Sequence, residues 1–180
     1  MVAQRSELEI EPNSGAPSPN RSWALLTDLQ NAHIRLTASI KDLAKLTGRP
    51  SSDKVQYSAV RFRVSEASLA RRITFRAACD YLLQVAAPAD QQTISRLRSA
   101  DADLAKHASK HVQQWTTANI DRDWAGYCVC SVEMRSALLK QIELERSMLY
   151  PLLHQHGSCR RSQVRLIPID EFLAEEAAAR

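Results

Sequence analysis

Glycine is scarce in this chain: four in 180 residues, at positions 15, 48, 126 and 157. That scarcity leaves no Gly-rich loop to cradle a phosphate, and no nucleophile elbow is present, so the common nucleotide-dependent and covalent enzyme classes lack their sequence marks. No Cys-x-x-Cys motif occurs among Cys79, Cys128, Cys130 and Cys159. Cys128 and Cys130, two apart on a helix, fall on different faces and make a weak redox motif. The chain is too long to need a disulfide framework, and free thiols are expected. No apolar run approaches the ~20 residues of a membrane span. The first residues, MVAQRSELEIEPNSGAPSPN, lack the apolar core of a secretory signal, so a cytoplasmic location is expected.

Charge excludes less. The net charge of +4 is modest. Its notable cluster, Arg61, Arg63, Arg71, Arg72 and Arg76, spreads around a helical cylinder instead of forming one stripe. A solvated face is therefore expected there, and neither nucleic acid nor membrane is an expected partner. The sequence leaves room for a protein partner and does not determine an oligomeric state.

What is present is long, uninterrupted helix-forming sequence. After Pro19 neither glycine nor proline recurs until Gly48 and Pro50, then not until Pro88, then Gly126, then Pro151. The four intervals are dense in Ala, Leu, Arg, Gln and Glu, and four helices are expected. Leu25, Leu26, Leu29, Leu36, Ile40 and Leu43 mark a face of the first, with Asn20 or Ser22 as cap. Leu69, Ile73, Ala77 and Leu83 mark the second. Ile94, Leu97, Leu104, Ala108, Trp115 and Ala118 mark the third, which is followed by a polar break at Asn119, Asp121 and Asp123. Val132, Leu138, Ile142, Leu149 and Leu152 mark the fourth. Short links between long amphipathic helices make antiparallel neighbours, hence an all-α, up-down-up-down four-helix bundle over 21–156. A disordered N-terminal tail is expected over 1–20. A C-terminal tail is expected over 157–180, with SQVRLIPI β-like and EFLAEEAAAR a short helix.

Polar residues fall on these apolar faces. His33 lies between Leu29 and Leu36. Arg76 and Asp80, His107 and His111, and Gln141 and Glu145 are each one turn apart, a spacing that projects two side chains in one direction. Each helix thus brings polar groups inward, which is how bundles build histidine and carboxylate metal sites. Taken alone, a histidine on an apolar face such as His33 is more often a hydrogen-bonded core residue than a metal ligand.

This order of residues resembles the hemerythrin-like family, four-helix bundles holding a non-haem di-iron centre. The likeness spans about 22–155 and includes the ending Leu149, Tyr150, Pro151. The resemblance implies a role in iron, oxygen or redox sensing, with His33, Asp80, His107, His111 and Glu145 as metal ligands and Gln141 as an auxiliary. Arg76 stands where the family has its second-helix histidine, and Gln141 stands where it has one in the fourth. A guanidinium cannot deprotonate and cannot ligate iron. Three states follow: a di-iron site, a single-metal site, or a metal-free site in which Arg76 replaces the cation by pairing with Asp80 and Glu145. The metal-free state, a non-enzymatic regulatory or interaction protein with no cofactor, is the reading adopted. A functional non-haem iron protein, mono- or di-iron, is its alternative. His154, His156 and Cys159, with Cys128 and Cys130 on the same helix, form a second cluster of a kind zinc would accept. Cys128 is expected at the opposite end of that helix, however, and His154 and His156 are read as cations suited to a helix C-terminus that ends at Gly157.

Overall fold

The structure, a computed structural model, describes residues 19–49 and 54–157. Among the described residues it is all helical: α1 Pro19–Thr47, α2 Lys54–Val85, α3 Pro88–Gln114, α4 Thr117–Arg122 and α5 Trp124–Gly157. The four long helices run 27 to 34 residues, or roughly 40 to 50 Å at 1.5 Å per residue. None is long and apolar enough to cross a membrane. The expected tails, including the short helix over 171–180, lie outside the described residues, except that Pro19 and Asn20 belong to α1 and Gly157 to α5.

Hydrogen bonds and apolar clusters fix how the long helices lie. Ser22 near the start of α1 donates to Leu153 O near the end of α5 at 2.6 Å, while Arg135 Nη1 donates to Thr47 Oγ1 at the end of α1 at 2.9 Å. These helices are antiparallel. Leu43 and Leu46 of α1 meet Val60 early in α2, and Leu26 and Leu29 meet Phe75, Ala78 and Leu82 late in it. Arg98 of α3 bonds Asp80 of α2 at 2.7 Å beside their short link. At the other end of α3, Trp115 packs against Tyr127 of α5 with centroids 5.6 Å apart.

The polar break between the third and fourth expected helices contains a helix of its own. Trp115 leaves helical geometry at φ −99°, ψ 66° and is buried with Tyr57, Ile120 and Tyr127. Thr116 then caps α4 by accepting from Asn119 N at 3.3 Å, and Asp123 caps α5 by accepting from Gly126 N at 2.8 Å. Ala118 consequently belongs to α4, where it is exposed, and not to α3.

The buried face of α2 also differs from expectation. Leu69 and Ile73 are 57% and 62% exposed. The inward stripe is instead Tyr57, Val60, Val64, Ala67, Arg71, Phe75, Ala78 and Leu82, at three- and four-residue steps. It passes through an arginine. A charge at its centre conceals a periodicity that is otherwise regular.

Candidate functional site: a buried arginine among four helices

Arg71, midway along α2, is 1% exposed. Its Nη1 donates to Glu145 Oε1 of α5, and its Nη2 donates to Asp101 Oδ1 of α3. Both carboxylates are buried. Arg72 Nε reaches the second oxygen of Asp101 at 3.5 Å from the partly exposed side of α2. Glu145 Oε1 also accepts from Gln141 Nε2, one turn earlier, at 2.9 Å. Its Oε2 lies 2.8 Å from His33 Nε2 of α1, and His33 Nδ1 lies 2.8 Å from the Tyr150 hydroxyl. The network therefore takes side chains from all four long helices.

Donor and acceptor chemistry orders this chain of contacts. An ionised Glu145 only accepts, so His33 Nε2–H donates to it, and a neutral ring leaves Nδ1 to accept from Tyr150. Burial, foremost, pushes the Tyr150 phenol well above its ordinary range, with Glu145 and Glu143 adding to the rise and Arg146 opposing it. The phenol thus keeps its proton for His33. Beneath the guanidinium lies the Phe75 ring, 5.7 Å from Arg71 Cζ to centroid, a cation–π placement. Desolvating charges in a helix core is costly, and what offsets the cost here is that each carboxylate receives charge-assisted hydrogen bonds.

The residues expected at the site divide. His33 and Gln141 both meet Glu145 through hydrogen bonds. Asp80 does not: it is on the outer side of α2 and pairs with Arg98. Arg76 is exposed. The expected pairing of Arg76 with Asp80 and Glu145 is therefore corrected, since Arg71 is the arginine and Asp101 the second carboxylate. His107 is exposed, and His111 is half-buried beside Tyr127 with centroids 6.0 Å apart. Burial, then Arg61 and His107, lower the pKa of His111. Among the described residues no group of three or more His, Cys, Asp or Glu is arranged to hold a metal ion.

The second cluster is also dispersed. His154 lies edge-on to Trp23, with centroids 5.0 Å apart, whereas Cys128 and Cys130 lie near the opposite end of α5. Cys159 is outside the described residues. Arg71 falls within the arginine cluster expected to be solvated, and Asp101 is not among the residues that the sequence pattern singles out. Their signal is positional: Asp101 continues Ile94 and Leu97 toward Leu104 and Ala108 at three- and four-residue steps, as Arg71 does on α2.

Comparison of the chain with protein-family models, with curated proteins and with solved structures returned no match.

Proposed function

We propose that this chain is a hemerythrin-like, up-down-up-down four-helix bundle in which a guanidinium takes the role of the metal, making it a non-enzymatic, cytoplasmic regulatory or interaction protein. One observation carries the reading. Arg71 places a permanent cation against Glu145 and Asp101, the carboxylates nearest the midpoint where the four long helices meet. The donor set does not fit a di-iron centre. Three of the five expected ligands, Asp80, His107 and His111, are elsewhere, and the lone pairs of Glu145 Oε1 and Asp101 Oδ1 already receive N–H donors. An incoming iron ion would have to displace a side chain that cannot lose its charge.

In this reading the ionic core specifies structure. Arg71, Asp101 and Glu145 stand on three different long helices, so a helix that slips along its neighbours leaves a buried charge without its partner. Such a slip costs several kcal/mol, on the order of 3–5. A core built this way gives one well-defined surface to a partner, which suits an interaction module. His33, Glu145 and Tyr150 are what the family resemblance retains. They support the alternative, an iron-binding sensor, only if Arg71 can be displaced.

Anaerobic titration with Fe(II), comparing the native chain with the double variant Arg71→His, Gln141→His, tests the reading. The native chain is expected to take up no iron, and the variant to gain binding through the new histidines beside His33, Asp101 and Glu145. Saturable iron binding by the native chain overturns the proposal.

A further inference from the structure

Between α2 and α3, on the Tyr127 side of the Arg71–Asp101 pair, the helices leave a cavity of about 460 Å³ that is open to solvent along one side. Its cause is local sequence: Ser65 and Ser68 on α2 face Ala105, Ala108 and Ser109 on α3, and such small side chains cannot fill the space between two helices. The volume lies within the roughly 300–1,000 Å³ typical of small-molecule sites, and gaps between the helices of a bundle are a usual place for them.

The lining has two chemistries. Val64, Leu104, Met134 and Leu138 form an apolar bed, and at the mouth Leu69 and Val112 stand 57% and 51% exposed. Charge in the cavity is strongly one-sided. Asp101 is its one lining carboxylate, already held by Arg71 and Arg72. Arg61 and Arg135 have no carboxylate partner among the described residues. The Arg61 guanidinium lies 5.4 Å from the Tyr57 ring centroid and 5.8 Å from that of Tyr127, while Arg135 donates to Thr47 Oγ1 and Ser131 O. In the floor, Ser131 Oγ and Arg71 Nε are buried without a hydrogen-bond partner, an unusual condition for buried polar atoms.

We infer that this cavity binds a small amphipathic carboxylate, its anionic head between Arg61 and Arg135 and its apolar body along Val64, Leu104, Met134 and Leu138. A neutral hydrocarbon would leave the two cations unanswered, and a polyanion would desolvate charge against the apolar bed. A single carboxylate on an apolar body satisfies both regions. The inference rests on the cavity and its cations and does not depend on the hemerythrin likeness, because the Arg71 network can hold or lack a metal without changing Arg61 or Arg135.

Calorimetric titration with decanoate, and with decanol as the uncharged body of the same length, tests it. Decanoate should bind saturably at one site per chain, and decanol more weakly by about tenfold or more, the ratio expected from losing charge-assisted hydrogen bonds. Arg61→Gln and Arg135→Gln should each weaken decanoate by about tenfold and leave decanol unchanged. Ala108→Phe, which fills the cavity, should abolish both, and Val129→Ser, on an exposed face of α5, should change neither. Helicity and thermal midpoint measured on each variant establish that it is folded. Absence of saturable decanoate binding, equal affinity for decanol, or native-like binding by a folded Ala108→Phe protein overturns the inference.

Discussion

Arg71 and Glu145, 74 positions apart, meet through a charge-assisted hydrogen bond with their side chains 1% and 0% exposed. Neither ion is screened by water, so each depends on the other. Replacing Arg71 by Met leaves Glu145 and Asp101 buried with their cation removed and should destabilise the fold by roughly 3–5 kcal/mol. Combining Arg71→Met with Asp101→Leu and Glu145→Leu should recover most of that loss, because uncharged partners remove the penalty. Urea denaturation of the native chain and the two variants measures both effects; a loss under about 1 kcal/mol for Arg71→Met would place the arginine in a far wetter setting.

The assignment of the inward face of α2 makes a second prediction. Leu82→Ala, at an α2 side chain with no exposure, should cost roughly 2–5 kcal/mol, and Ile73→Ala, at 62% exposure, should stay within about 0.5 kcal/mol. Equal losses at the two positions would contradict the orientation of α2.

His111 supplies a pH dependence. Burial first, then Arg61 and His107, hold its folded pKa below the ordinary 6.5. The unfolded chain therefore binds the proton more readily, and the stability tied to neutral His111 is complete above about pH 6.5 and is lost as pH falls through the lowered folded value. Denaturant midpoints measured from pH 7.5 downward should fall more steeply for the native chain than for His111→Gln. Parallel slopes would remove His111 as the source.

Gly157 closes α5 against α1. A Cβ built there would lie 2.7 Å from Trp23 Nε1, and that same indole donates to Gly157 O at 3.0 Å. Gly157→Ala must push the indole aside, so Trp23 should lose its hydrogen bond and become more accessible to a fluorescence quencher, with a stability loss of about 1 kcal/mol. Unchanged quenching in a variant that retains Trp23 as its sole tryptophan would show that the contact is not kept in solution.

The helices are legible in the sequence because glycine and proline fall at or near most of their ends, although Pro151 lies inside α5, and the face of α1 is legible because it is apolar except at Ser22 and His33. The centre of the site is less so. His33, Gln141 and Glu145 announce themselves as polar residues on apolar stripes. Arg71 does not, since it belongs to a run of arginines that is otherwise solvated. On α2 the exposed Leu69 and Ile73 imitate a core face, and the true stripe carries a charge at its middle and small residues at Ala67 and Ala78. Asp101, flanked by Asp103 and Ser99, likewise has the look of surface until its spacing from Ile94 and Leu97 is counted. Periodicity weighted by hydropathy fails where the core itself is ionic; periodicity of position succeeds there.

The central claim, that Arg71 fills the role of a metal, is tested most directly by elemental analysis of the native protein purified from iron-supplemented cells, together with its thermal midpoint before and after a strong chelator. The account predicts iron far below one ion per chain and an unchanged midpoint. Near-stoichiometric iron whose removal lowers the midpoint would contradict it.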